Sequence, residues 1–180
     1  MKWYGFFAIF VVSTVFCNLL LAIRMAAPEE DLVVKTFSLP ERSLQISDRP
    51  ESAVLSAETM PKQPLLLFFF ASWCRPCQFE APIIAKLSER NDVPFIGIAV
   101  RDTPKELKAF LKKTNNPFLF VALDPEMEWA NAMHANKLPT AFILNDKSEV
   151  VAKINGFLTE DFYFEKILPF IQELKHEAVP

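Results

Sequence analysis

Residues 68–82 read FFFASWCRPCQFEAP. The stretch begins inside the apolar run Leu65 to Ala71, bounded by Pro64 and a turn, as expected of a strand buried on both faces. Helical spacing follows in CQFEAPIIAKLSER, with Phe79, Ile83, Ile84 and Leu87 placed on one side. Cys74 therefore stands between a buried strand and a helix mouth. There, unpaired N–H groups and the positive end of the helix dipole stabilise a thiolate. Arg75 adds positive charge in the same sense, and Pro76, which has no N–H, fits a first turn. Cys77 is one turn on, close enough to attack a mixed disulfide formed at Cys74.

Other uses of a C-x-x-C pair fit less well. Haem attachment needs a histidine directly after the second cysteine, and Gln78 is there. A structural zinc site needs four ligands, and the remaining candidates are His134, His176 and Cys17. An inert disulfide across two residues closes a very small loop and stabilises little. A redox centre that uses no metal and no cofactor is the expectation. Glu80, three past Cys77, has two readings: a solvated helix glutamate, or a partly buried carboxylate exchanging the second thiol's proton. Pro139 in KLPTAF also has two. It suits a strand start, or a cis bond that holds Leu138 against the sulfurs, where its backbone can pair with a substrate strand.

Further along, VPFIGIAV (93–100) reads as a second buried strand. TPKELKAFLKK opens as a capped helix, with Thr103 as N-cap, Pro104 in the first turn and Glu106 three after the cap. FLFVAL (118–123) is a third strand, followed by a helix over 125–134. TAFILN and EVVAKI flank DKS as an antiparallel hairpin, and a last helix over 160–175 should kink at Pro169. Strands separated by helices call for parallel pairing through crossovers, and the hairpin adds an antiparallel edge. The expected fold is an α/β three-layer sandwich with helices on both faces of a mixed sheet.

Upstream, the polar, proline-rich stretch from Ala26 to about Gln63 reads as a tether and a loosely built entry, with one edge strand around Val33 to Phe37. The chain has 180 residues and a net charge of −3, enough for one ordinary domain and with no nucleic-acid footprint. Its apolar excess is concentrated from Trp3 to Ile23, which carries no charge. At about 1.5 Å per residue this segment spans roughly 31 Å, close to a bilayer's hydrocarbon core. It exceeds the about 7–15 residues of a secretory h-region, and IRMAAP offers no A-x-A-like cleavage site. The expected organisation is a membrane anchor over 1–25, a tether over 26–36 and a domain over 37–180, with Cys17 passive inside the anchor. Lys2 on one side and Arg24 and Lys35 on the other leave orientation to the cysteine chemistry, which favours a domain outside the cytoplasm.

Together, ASWCRPC, the later LPT and Gly156 after the hairpin resemble the thioredoxin fold. WCRPCQFEAP is similar to the W-C-x-P-C-x-x-E-x-P of the membrane-anchored TlpA, ResA and DsbE/CcmG branch. FSLPERSL, NPF, LDPE and EKILPFIQEL look most like DsbE/CcmG, and the similarity covers about Phe37 to Leu174. The resemblance implies Cys74 as attacking thiol, Cys77 as resolving thiol, Glu80 as the nearby acid and Pro139 as a cis-proline. It implies a client-binding surface of Trp73, Arg75, Pro76, Leu138 and Pro139. It also implies a single-pass protein of the bacterial inner membrane whose periplasmic domain passes electrons from a DsbD/CcdA-type donor to the cysteines of apocytochrome c, or to their thiol carrier. Phe68 stands where many thioredoxins have a buried aspartate, which leaves Glu80 as the sole local carboxylate expected. MHANKLPT departs from the glycine-rich DsbE pattern toward TlpA and ResA. A general TlpA-like reductase for other clients, or a non-catalytic binding or chaperone module, are the alternatives. Arg-Pro between the cysteines lacks the histidine of oxidising relatives such as DsbA. The expectation is a reductant, nearer thioredoxin's roughly −270 mV than DsbA's roughly −120 mV.

Overall fold

The computed structural model describes residues 31–47 and 53–177. The expected anchor at Trp3 to Ile23, Cys17 within it and the start of the tether lie outside the described residues. Among the described residues no helix is long and apolar enough to cross a membrane.

The strand that leads into the cysteine pair is β4 (Leu65–Phe70), and every residue in it is buried. Its side chains alternate between two cores, because successive residues of a strand point to opposite faces. Leu66, Phe68 and Phe70 join one core, and Leu65, Leu67 and Phe69 join the other. β4 pairs in parallel with β5 (Phe95–Val100), which pairs in parallel with β6 (Phe120–Asp124). The crossover helices α1 (Arg75–Ser88) and α2 (Pro104–Lys113) both contribute to the first core. Two successive right-handed crossovers stepping in one direction must share a face. The short α3 (Glu128–Ala132) belongs to the other core through Trp129 and Ala130. It leads back across the sheet to β7 (Thr140–Leu144), antiparallel to β4. β8 (Glu149–Asn155) follows, and β1 (Asp31–Ser38) pairs antiparallel with it at the edge.

The sheet has eight strands in the order β1-β8-β7-β4-β5-β6-β2-β3. It is thus mixed, with helices on both faces, as expected. Three features differ from the sequence reading. β1 includes the edge strand expected around Val33 to Phe37 but begins at Asp31 and runs to Ser38, so residues 31–36 of the expected tether belong to the sheet. The loosely built entry contains β2 (Leu44–Ile46) and β3 (Val54–Leu55), which extend the opposite edge beyond β6. In α1 the buried residues are Cys77, Glu80, Ala81, Ile84 and Leu87, while Phe79 is 70% exposed. Phe79 and Glu80 are about 100° apart on the helix, and the cysteine pair turns the Glu80 side inward.

Thr103 caps α2 as expected, its hydroxyl accepting the Glu106 N–H while the Glu106 carboxylate accepts the Thr103 N–H. At the chain's end, α4 (Glu160–Phe162) runs into a π-helical stretch, Tyr163–Ile167, and then α5 (Leu168–Glu177). The wide turn comes just before Pro169, which lacks an N–H and whose ring crowds the carbonyl four residues back.

Candidate active site

The turn from β4 into α1 carries the cysteines. Cys74 is the N-cap of α1, and its Sγ accepts the Cys77 N–H at 3.3 Å. Sulfur here occupies the place usually taken by a serine or aspartate oxygen, so an orphan helix donor is aimed at it. Once Cys74 is reduced, the same donor and the helix dipole stabilise its thiolate. The two cysteines form a disulfide with Cα atoms 5.3 Å apart.

They face different surroundings. Cys74 lines a groove of about 360 Å³. Trp73, Arg75 and Pro76 form its wall beside the sulfur, Arg101 and Met127 come from the ends of β5 and β6, and Asn136 and Leu138 close the far side. Cys77 faces a cavity of about 10 Å³ on the inner side, with Glu80, Phe68 and Phe118. That is about the size of one water molecule. Both cysteines are buried, at 5% and 3% exposure, and of the two only Cys74 lines the groove.

Leu138 and Pro139 are joined by a cis peptide bond, the bond that the second reading of Pro139 calls for. Leu138 packs against both cores as well as lining the groove. Thr140, at the start of β7, donates its hydroxyl to the Lys137 carbonyl and ties the loop back on itself. Lys153 on β8 donates to the His134 carbonyl at 2.7 Å, fastening the same loop upstream. Its ammonium has a lowered pKa, through burial first and the nearby Lys35 second.

Glu80 is 2% exposed, which removes the reading of a solvated helix residue. Its Oε1 accepts the Leu158 N–H, joining α1 to the segment after β8. It is not the sole local carboxylate. Asp102, 4% exposed just past β5, accepts both the N–H of Ser72 (2.7 Å) and its hydroxyl. Its pKa is raised, chiefly by burial, against the lowering effect of the Ser72 bonds. The neighbouring Arg101 carbonyl accepts the Trp73 indole N–H at 3.2 Å, and Gln78 donates to the Ser72 carbonyl at 2.7 Å. The two residues before Cys74 are thus held from three directions.

Three non-glycine residues around the groove adopt left-handed backbone: Arg101 (φ 52°), Met127 (φ 59°) and His134 (φ 54°). The conformation costs an L-residue roughly 1–2 kcal/mol. Asp124, fully buried, secures the Met127 turn by accepting the N–H groups of Glu128 and Ala130 at 2.7 and 2.8 Å. Among the described residues no cluster of three or more His, Cys, Asp or Glu could hold a metal ion.

A thiol pair at a helix start, one sulfur on a groove and the other behind it beside a carboxyl group, is equipped for two-step disulfide exchange. Known proteins are similar to this chain. A thiol:disulfide interchange protein DsbE of Xylella fastidiosa is 29% identical over 143 residues, 78% of this chain and 68% of the relative. The thiol-disulfide oxidoreductase ResA of Bacillus subtilis is 29% identical over 99 residues, 53% of this chain and 55% of ResA. The fold matches a secreted thiol-disulfide isomerase from Corynebacterium glutamicum with a TM-score of 0.66 at 18% identity, covering 82% of this chain and 94% of that one. That likeness makes the architecture thioredoxin-like. The Redoxin pattern runs through residues 34–167, from β1 to the π-helical stretch, and with it the chain belongs to the Redoxin family.

Proposed function

We propose that this chain is a membrane-anchored thiol:disulfide oxidoreductase that works as a reductant in the periplasm. The observation carrying this reading is the division of the two sulfurs between groove and interior. In the reduced protein, the Cys74 thiolate attacks one sulfur of a client disulfide, and the client's other sulfur leaves as a thiolate that takes a proton from solvent. Cys77 then attacks Cys74 in the mixed disulfide, freeing the client's second thiol and closing the Cys74–Cys77 bond. Two electrons pass to the client, whose second sulfur takes up the equivalent of the proton that Cys77 loses. Glu80, lining the same inner cavity as Cys77, takes the proton that Cys77 must lose. The Leu138–Pro139 segment offers backbone at the groove to an extended client segment.

The similarity to DsbE and ResA supports apocytochrome c cysteines, or their thiol carrier, as clients, and a DsbD/CcdA-type membrane protein as electron donor. The uncharged run from Trp3 to Ile23 supports a single-pass inner-membrane anchor over residues 1–25. Replacing Cys77 with alanine in cells is the decisive experiment. Mixed disulfides should accumulate on Cys74, and their identities would tell cytochrome maturation from a broader client range. No trapped species would overturn exchange in favour of a non-catalytic binding module. Removing residues 1–27 should slow re-reduction in cells and leave reduction in solution intact.

A further inference from the structure

Two arginines, Arg75 and Arg101, line the groove beside Cys74, and no acidic residue lines it with them. Both are exposed, and neither side chain has an ion-pair or hydrogen-bond partner among the described residues. The nearby carboxylates are otherwise engaged: Asp102 holds Ser72, Asp124 caps α3, and Glu128 pairs with Arg42 at 2.7 Å. Glu126 is exposed on the turn before Met127, outside the groove lining. Arg101 is further constrained by its backbone. Its N–H donates to the Asp124 carbonyl, its own carbonyl accepts from Trp73, and its left-handed φ would suit glycine or asparagine better. A strained position that nevertheless carries an uncompensated cation at the groove is a reason to look for the anion it meets.

We infer that the groove selects client disulfides flanked by acidic side chains, with Arg75 and Arg101 as the specificity-determining residues. The inference rests on the exchange reading and names its substrate class. A carboxylate next to the client's cysteine would lie between the two guanidinium groups while the neighbouring sulfur meets Cys74. The arginines then speed encounter and orient the attack. The effect is that of exposed ion pairs, so it is modest and falls with salt.

The test uses the reduced full-length chain in nonionic detergent and three synthetic peptides. Each peptide has blocked ends and an internal Cys-x-x-Cys disulfide, flanked by two Glu, two Gln or two Lys. Rates are divided by those of dithiothreitol on the same peptide, which removes the intrinsic effect of the flanks on the disulfide. The Glu peptide should be reduced about fivefold faster than the Gln peptide at low salt, the Lys peptide slowest, and the differences should shrink at 0.5 M salt. Arg101→Gln should bring the Glu-to-Gln ratio below about twofold, and Arg101→Lys should restore most of it. Equal rates for the Glu and Gln peptides, or a preference for Lys, would overturn the inference and leave disulfide exchange standing. Failure to reduce any of the three would sink the exchange reading itself.

Discussion

Replacing Asp102 separates two contributions that the structure places in opposition. The carboxylate accepts two bonds from Ser72, yet burial is the largest influence on its pKa and raises it above the ordinary 3.8. Asp102→Ala leaves the Ser72 N–H and hydroxyl without their acceptor. At about 1–1.5 kcal/mol for each lost bond, the loss is about 2–3 kcal/mol. For a domain of this size that lowers Tm by roughly 5–10 °C. Asp102→Asn keeps one carbonyl acceptor, and the Ser72 hydroxyl can turn to accept from the new amide. It also removes the desolvated charge, so the net change at pH 7 is about 0–1 kcal/mol. The pH dependence has a definite sign. A carboxyl group whose folded pKa lies above its unfolded value binds more protons in the folded state. Its contribution is full below 3.8 and is lost as pH rises through the folded value. Wild type should therefore lose stability relative to Asp102→Asn as pH rises above 3.8. Thermal melts of the oxidised protein from pH 3.5 to 7.5 would measure this. The reasoning fails if Asp102→Ala melts within 1 °C of wild type, or if the Asn and Ala variants fall together.

The buried hydroxyl of Tyr163 has no hydrogen-bond partner among the described residues, so Tyr163→Phe should stabilise by up to about 1 kcal/mol in chemical denaturation. Burial pushes its pKa up to about 12, so wild type, but not the variant, should lose stability as pH rises from 10 through that value. A methyl group at Gly97 would stand 2.8 Å from Phe70 and 3.1 Å from Phe118, whose rings stack at 4.9 Å. Gly97→Ala should cost about 1–3 kcal/mol by overpacking, and an unchanged melt would refute that. Glu80→Gln should slow resolution of the mixed disulfide in stopped-flow exchange far more than the first attack by Cys74. General acid–base help is typically worth at least 10²-fold. Equal slowing of both steps would count against a proton-transfer role.

The parts of the fold that could be read from the sequence are those whose causes are local. Six apolar residues in β4, the Thr103–Glu106 capping box and the alternation of β8 each declare themselves within a few positions. β2 and β3, with three and two residues, are too short to show a period, and they exist because Gln45 and Ile46 find partners on β6. Phe79 misleads because both of its neighbouring stripes contain apolar residues, and the facing sheet decides between them. Around the site, Cys74 and Cys77 stand three positions apart and are legible at once. Asp102 reaches Ser72 across 30 positions, and no local pattern announces that bond. The left-handed turns at Arg101 and Met127 are equally silent, since neither residue type favours them.

The pairing at the sheet's edge fixes where any leash to a membrane would join the domain. Asp31 lies opposite Asn155, Asn155 opposite Thr140, and Thr140 opposite Phe69, four residues in a row across the end of the sheet from which the cysteine turn emerges. Three strand spacings separate the first from the last, about 15 Å. β1 thus begins at the same end of the sheet as the dithiol, so the chain enters the domain on its active-site side.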